Sequence, residues 1–369
     1  MIKIPVANVS LGEEEAIAVA NVVKSGRLSM GPKVADFEKD FCTYTGAQHA
    51  IALNNGTAAL HVALAALNLK PEDEVILPSL TFISTAYAVM YLGATPVLCE
   101  CDPLTYNVTV DNLQECLTNK TRAIIPVEMN GMPINYDDIL NFAEDNNLKV
   151  VIDSAESLGS SYKNNKIGSI APVHMFSFFP NKIITTGEGG MITTNSDSLA
   201  KEMRILLNQG QDYRYNHIRL GYNYRMTELQ AAIGIQQLQR IEYRIQEKNR
   251  IAEFYNNAFC KMDGISIPYV PDYITQHSWY MYSVRVDPFI RDAVVKHLEN
   301  EGIETRLSFP PVHTQPFIQK TLGYTADLLP HTNQAWNSKI DIPAWPGIIE
   351  TDLDKVVNAM QSALDKESQ

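Results

Sequence analysis

Short, nearly unbroken apolar runs recur through the first half of this chain, at residues 74–78, 96–100, 123–127, 149–153, 175–178 and 191–194. Helical patterns lie between them. Strands that read as continuous apolar runs are buried on both faces, and their alternation with helices predicts a mainly parallel sheet sandwiched by helices. In such sheets ligands gather beyond the carboxyl ends of the strands. The residues that follow each run are therefore where chemistry is expected.

After Met226 the pattern changes. Apolar residues at Leu229, Ile233, Leu238, Ile241, Ile245, Ile251 and Phe254 recur at steps near three or four, which predicts one long amphipathic helix. Short strands, helices and proline-rich turns follow between 277 and 349. We expect a large domain over residues 1–240 and a smaller C-terminal α/β domain over 241–369, packed rather than tethered, with the N-terminal segment able to pack on the small one. No repeat or low-complexity linker interrupts them.

Composition excludes several functions. A formal charge of −12 disfavours nucleic acid and anionic membranes as partners. No apolar stretch approaches the length of a membrane span, and the N-terminal residues lack a signal-peptide pattern. Five cysteines, without a CxxC pair, fit a reducing cytoplasm; Cys99 and Cys101 read as core thiols rather than half of a zinc site. No HExxH, Walker or Gly-x-Ser-x-Gly pattern occurs, so neither a metal nor a nucleotide loop of those types is expected.

Four places carry possible chemistry. Lys182 stands among small polar residues and glycines just after an apolar run, where an amine is poorly placed for packing and well placed to condense with an aldehyde cofactor. Asp153 ends another run, where a carboxylate either faces a ligand or caps the next helix. If a pyridine ring lies there, the aspartate holds its nitrogen protonated. Gly56-Thr57 opens a helix and suits either a plain N-cap or a phosphate. Phe82, just beyond the run 74–78, suits a core position or a ring-stacking one. Ser177 and Asn181 flank the lysine within reach of a phosphate or of substrate oxygens. The glycines from Gly187 to Gly190 read as a tight turn that lets the backbone pass close to the site.

These segments together, with 25–32, 92–97, 221–227, 310–313 and 342–347, resemble the DegT/DnrJ/EryC1/StrS sugar aminotransferases of the fold-type-I pyridoxal-phosphate enzymes, over nearly the whole chain. The resemblance implies a seven-stranded, mainly parallel sheet in the large domain and pyridoxal 5'-phosphate as cofactor, with pyridoxamine phosphate as its aminated form. It implies that Lys182 anchors the cofactor and then acts as general base, and that Asp153 pairs with the pyridine nitrogen. Glu156 takes the ring-hydroxyl side and Phe82 the stacking position, while Gly56, Thr57 and Ser177 hold the phosphate. Asn223 is expected to reach the phosphate across a homodimer interface, so the active sites are shared. Ser29, Gly31, Arg219 and His313 match positions that line the sugar-nucleotide pocket.

The implied reaction is ping-pong transfer from glutamate to a 4-keto-6-deoxy sugar nucleotide. The run 180–190 is similar to the perosamine synthase-like branch, which aminates C4. C3 amination, or dehydration by the branch that has histidine at the lysine position, are the alternatives within the family; a non-catalytic cofactor-binding regulator is the alternative outside it. One departure concerns residues 128–130, Glu-Met-Asn, where relatives carry His-Leu-Tyr. It is expected to place the Glu128 carboxylate close to the substrate mouth.

Overall fold

The computed structural model describes residues 3–367; the first two residues of the N-terminal stretch lie outside them. The first strands are β1 (His49–Leu53), β2 (Glu74–Pro78), β3 (Thr95–Cys99), β4 (Thr121–Ile124), β5 (Lys149–Val150) and β6 (Ile152–Asp153). They are followed by β7 (Ser161–Tyr162), β8 (Asn165–Lys166), β9 (Val173–Ser177) and β10 (Gly190–Thr194). β2 pairs in parallel with β3 and β4, and β4 with β5. β6 pairs in parallel with β9, and a parallel bridge from Val127 to Asp153 joins the two halves. β5 and β6 thus form one interrupted strand, and seven strand positions run across the sheet. The sequence expectation of a mainly parallel sheet holds through its centre. At one edge, β10 runs antiparallel to both β9 and β1.

Strand alternation sorts the core. Ala50 and Ala52 of β1, Ile76 of β2, Ile152 and Phe176 face one apolar cluster. Ile51, Leu53, Val75, Leu77, Val151 and Met175 face the other. Both sides are dry, as continuous apolar strands require. Helices Glu13–Ser25 and Pro32–Thr45 pack against helix Glu228–Gln239 on the first side. Gly234 lets them approach closely: a Cβ there would stand 2.6 Å from the Phe37 ring.

A third core lies between helices Ile241–Phe259, Arg291–Asn300 and Glu350–Glu367 and a small antiparallel sheet. Ile4 is buried in it, and Trp345 Nε1 donates to the Pro5 carbonyl at 2.9 Å. The single helix expected after Met226 is two helices. Arg240, at φ −106° and ψ 10°, leaves the helical region between them. No proline or glycine marks the break. Arg240 instead turns its guanidinium to Glu14 and Glu15 of the first helix, and the chain changes direction there. Ile241 and Ile245 still belong to the first core, whereas Ile251, Tyr255 and Phe259 belong to the third.

Among the described residues no helix is long and apolar enough to cross a membrane.

Candidate active site

The carboxyl ends of the strands open onto a cavity of about 640 Å³. β1 leads into helix Gly56–Ala65, whose N-cap Asn55 accepts a hydrogen bond from the Ala58 N–H at 2.8 Å. The N–H groups of its first turn and its positive dipole end face the cavity, an arrangement suited to an anion. Thr57 Oγ1 stands 2.8 Å from Ser84 Oγ, and both residues line the cavity with Ser177 and Gly56. Gly56 packs closely on Ser177: a Cβ added there would stand 3.0 Å from Ser177 Cβ and would push that residue aside. Gly190 is similarly placed: its added Cβ would lie 2.5 Å from the Asn55 carbonyl oxygen. That is the close backbone passage expected from the glycine run.

Asp153 is buried at the end of β6 and lines the cavity. Its Oδ2 accepts from Thr85 Oγ1 at 2.8 Å and its Oδ1 from the Ala155 N–H at 3.1 Å. Burial pushes its pKa up to about 6, against the opposing pull of those two bonds and of Lys182.

Lys182 sits in a loop closed by Phe178, whose N–H donates to the Gly189 carbonyl and whose carbonyl accepts from the Thr186 N–H. Lys182 Nζ lies 3.3 Å from Glu156 Oε1 and 4.1 Å from the Tyr280 ring centroid. Burial would lower the ammonium pKa, but Tyr280, Glu156 and Asp153 together outweigh it and raise the pKa above the usual lysine range. Glu156 Oε2 is held in turn by the Asn130 N–H at 2.8 Å.

Lys182, Asp153, Glu156, Gly56, Thr57, Ser177 and Phe82 therefore share one cavity. Phe82 is 53% exposed, on the rim rather than in a core, with its ring centroid 5.4 Å from that of Phe309. Asn181 also lines the cavity, and its buried Oδ1 has no protein partner. A helix N-terminus with hydroxyls, a buried carboxylate and an amine are the groups that a phosphate, a ring N–H and an aldehyde require. The donor set fits pyridoxal phosphate.

Other expected residues stand elsewhere in this chain. Asn223 is exposed and does not line the cavity of its own chain. Ser29 and Gly31 lie in a loop fastened to the start of helix Glu228–Gln239, where the Glu228 carboxylate accepts from the Lys33 and Val34 N–H groups at 3.0 Å each. Arg219 pairs with Glu202 and reaches towards Asn68. His313 is buried behind the strand ends, its Nδ1 2.7 Å from Ser79 Oγ. Glu128 requires a correction: it does not stand at the mouth but is fully buried on the opposite side of its segment. Val127 and Met129, its neighbours, are the ones that line the cavity.

Thr85, Ser84, Tyr280, Phe309, His61 and Tyr224 also line the cavity and were not expected. Their positions follow from tertiary packing, and no local pattern announces them. Cys99 and Cys101 are free and buried, and no cluster that could hold a metal occurs among the described residues.

Comparison with known proteins agrees with this geometry. Residues 9–361 match the model of the DegT/DnrJ/EryC1/StrS aminotransferase family. The chain is 42% identical over 342 residues to GDP-perosamine synthase of Caulobacter vibrioides, covering 91% of each chain. It superposes on the aminotransferase from Psychrobacter cryohalolentis with a TM-score of 0.94 at 30% identity, covering 99% of this chain and 100% of that one. A putative sugar aminotransferase of Streptococcus pneumoniae, solved in its pyridoxal-phosphate form, gives a TM-score of 0.93 at 28% identity, with 98% and 99% of the two chains covered.

Proposed function

The chain belongs to the DegT/DnrJ/EryC1/StrS aminotransferase family, and from that premise we propose that it transfers an amino group from glutamate to C4 of a 4-keto-6-deoxy sugar nucleotide. That it is a pyridoxal-phosphate-dependent sugar aminotransferase follows from the family and from relatives solved in pyridoxal-phosphate and pyridoxamine-phosphate forms. The observation that carries the reading of the site is the presence of Lys182 and Asp153 in one cavity. The C4 assignment is supported by the likeness to GDP-perosamine synthase.

Pyridoxal phosphate, when bound, supplies an aldehyde for amines to condense with and a ring that withdraws electrons from the carbon being deprotonated. Lys182 Nζ is the amine that holds the cofactor between turnovers. The same nitrogen is the base that would take the proton from the amino donor's Cα and give it back during the transfer. Glu156, 3.3 Å from that nitrogen, keeps it directed into the cavity. Asp153 holds a proton at the ring nitrogen, and Thr85 fixes its Oδ2. Gly56, Thr57 and Ser177, with Ser84, hold the phosphate. Phe82, on the rim, would cover the ring face.

Asn223 is exposed, and Tyr213, Tyr215, Ile218 and Leu220 near it are also exposed. This supports a homodimer in which Asn223 enters the partner's cavity. Ser29, Gly31 and Arg219 are assigned to the sugar-nucleotide side of that shared site.

The test converts the holoenzyme with glutamate to its aminated form and adds keto-sugar nucleotides one at a time. A 4-keto sugar nucleotide should restore the original visible absorbance and gain an amino group by mass. Amination at C3, loss of a hydroxyl, or no response to any 4-keto sugar would overturn the C4 reading.

A further inference from the structure

Behind the cavity wall lies a closed polar network that the reaction does not use. The Glu128 carboxyl, fully buried, accepts from Tyr136 Oη at 2.7 Å on Oε1, and from Ser154 Oγ at 2.8 Å and Ser157 Oγ on Oε2. Ser154 Oγ is also 3.0 Å from His174 Nδ1. The Ala171 N–H donates to His174 Nε2 at 3.0 Å. Burial pushes the His174 pKa down to about 3, so the ring is neutral and Nε2, as acceptor, carries no hydrogen. The ring hydrogen is then on Nδ1 and points at Ser154. Ser154 must spend its own hydrogen on Glu128. The hydrogen bonds have one direction, and the carboxylate is their terminus.

The two serines belong to the turn that carries the site. Asp153, Ala155 and Glu156 face the cavity, and Ser154 and Ser157 face Glu128. The Glu128 N–H also donates to the Asp153 carbonyl at 3.1 Å, and the Asn130 N–H holds Glu156 Oε2. The geometry points to Glu128 as a positioning residue: its carboxylate grips the back of the 153–157 turn and so fixes the aim of Asp153 and Glu156 at the cofactor. A carboxamide replaces it at a cost: an NH₂ group facing Ser154 would meet a hydroxyl already committed as donor, and one facing Tyr136 would turn that hydroxyl from donor to acceptor. Burial alone disfavours a charge here and lifts the Glu128 pKa to about 7, with Ser157, Tyr136 and Ser154 opposing it. The cost of burying this carboxyl is offset by hydroxyl donors that come mainly from the one turn that needs aiming.

This inference rests on Asp153 and Glu156 facing pyridoxal phosphate, but not on any sugar. Its test therefore stays separate from the choice of substrate. Holoenzyme of wild type, Glu128→Gln and Ser154→Ala is compared in two measurements: the rate at which pyridoxal phosphate is lost on dilution, and the pH midpoint of its visible absorbance. Far-ultraviolet circular dichroism checks the fold. Glu128→Gln should lose cofactor about tenfold faster and shift the midpoint. Ser154→Ala should change both in the same direction by less, and the double variant should add little to Glu128→Gln. A folded Glu128→Gln with wild-type loss rate and midpoint would overturn the proposal. If that variant does not fold, Ser154→Ala decides alone, and a wild-type midpoint there overturns it equally.

Discussion

Two lysines, Lys182 half-buried and Lys248 buried, meet the same tyrosine, and their surroundings divide their roles. Lys182 Nζ stands 4.1 Å from the Tyr280 ring centroid, with one ionic partner, Glu156, and an open cavity on its other side. Lys248 Nζ donates to the Tyr280 backbone carbonyl at 3.0 Å, and to those of Trp279 and Ala344 at 2.7 and 2.8 Å. All three of its ammonium hydrogens are used. It has no carboxylate beside it, and burial with the Arg244 charge lowers its pKa to about 7. Lys182 has carboxylates on its side of the tyrosine, and its pKa is raised. A lysine saturated by carbonyls ties segments together; a lysine with one carboxylate partner and free space beside it is available for chemistry.

The contrast is broken most severely at Lys182 itself. Lys182→Ala should leave a folded protein whose transamination falls by more than about a thousandfold, measured as amino-sugar formation. Asp153→Ala should fall next, by about a hundredfold. If its rate stays within a few-fold of wild type, the ring-nitrogen assignment fails. Lys248→Met should do the opposite: keep bound cofactor, but lose roughly 3 kcal/mol of stability in urea as three carbonyls lose their donor. Cofactor loss as complete as in Lys182→Ala would erase the distinction.

A pH effect sharpens the same point. Asp153 has its folded pKa raised to about 6 above its ordinary value of 3.8. The stability it contributes is therefore fully present below about pH 4 and is lost as pH rises through about 6. Asp153→Asn, without cofactor, should be more stable than wild type by about 2 kcal/mol at pH 8 and about equal at pH 4. Equal stability at both pH values would show that the carboxylate is not strained by burial. The smallest effect is expected at Tyr280→Phe, which keeps the Lys248 contact with the backbone and should change turnover only a few-fold, about 1 kcal/mol.

Much of this was legible in the residues. The apolar runs marked the strands because both sheet faces are dry, and a strand-end aspartate and a loop lysine fell where parallel sheets gather ligands. The break at Arg240 was not legible, because its cause is a pair of acids some 225 residues earlier in the chain. Thr85 and Tyr280 escaped for the same reason: one lies 68 residues from Asp153 and acts only through the fold. Glu128 was a different case. Its segment leaves the extended conformation at a 3-10 turn that begins with Met129, so the side its carboxylate takes is set by that local bend and not by a strand pattern.

The central claim is that Lys182, and not its buried neighbour, is the amine joined to the cofactor. Reducing the holoenzyme with borohydride and mapping its peptides by mass spectrometry tests this directly. The phosphopyridoxyl group should be found on Lys182, with loss of the visible absorbance. Its appearance on Lys248 or any other lysine, or absorbance that survives reduction, would contradict the account.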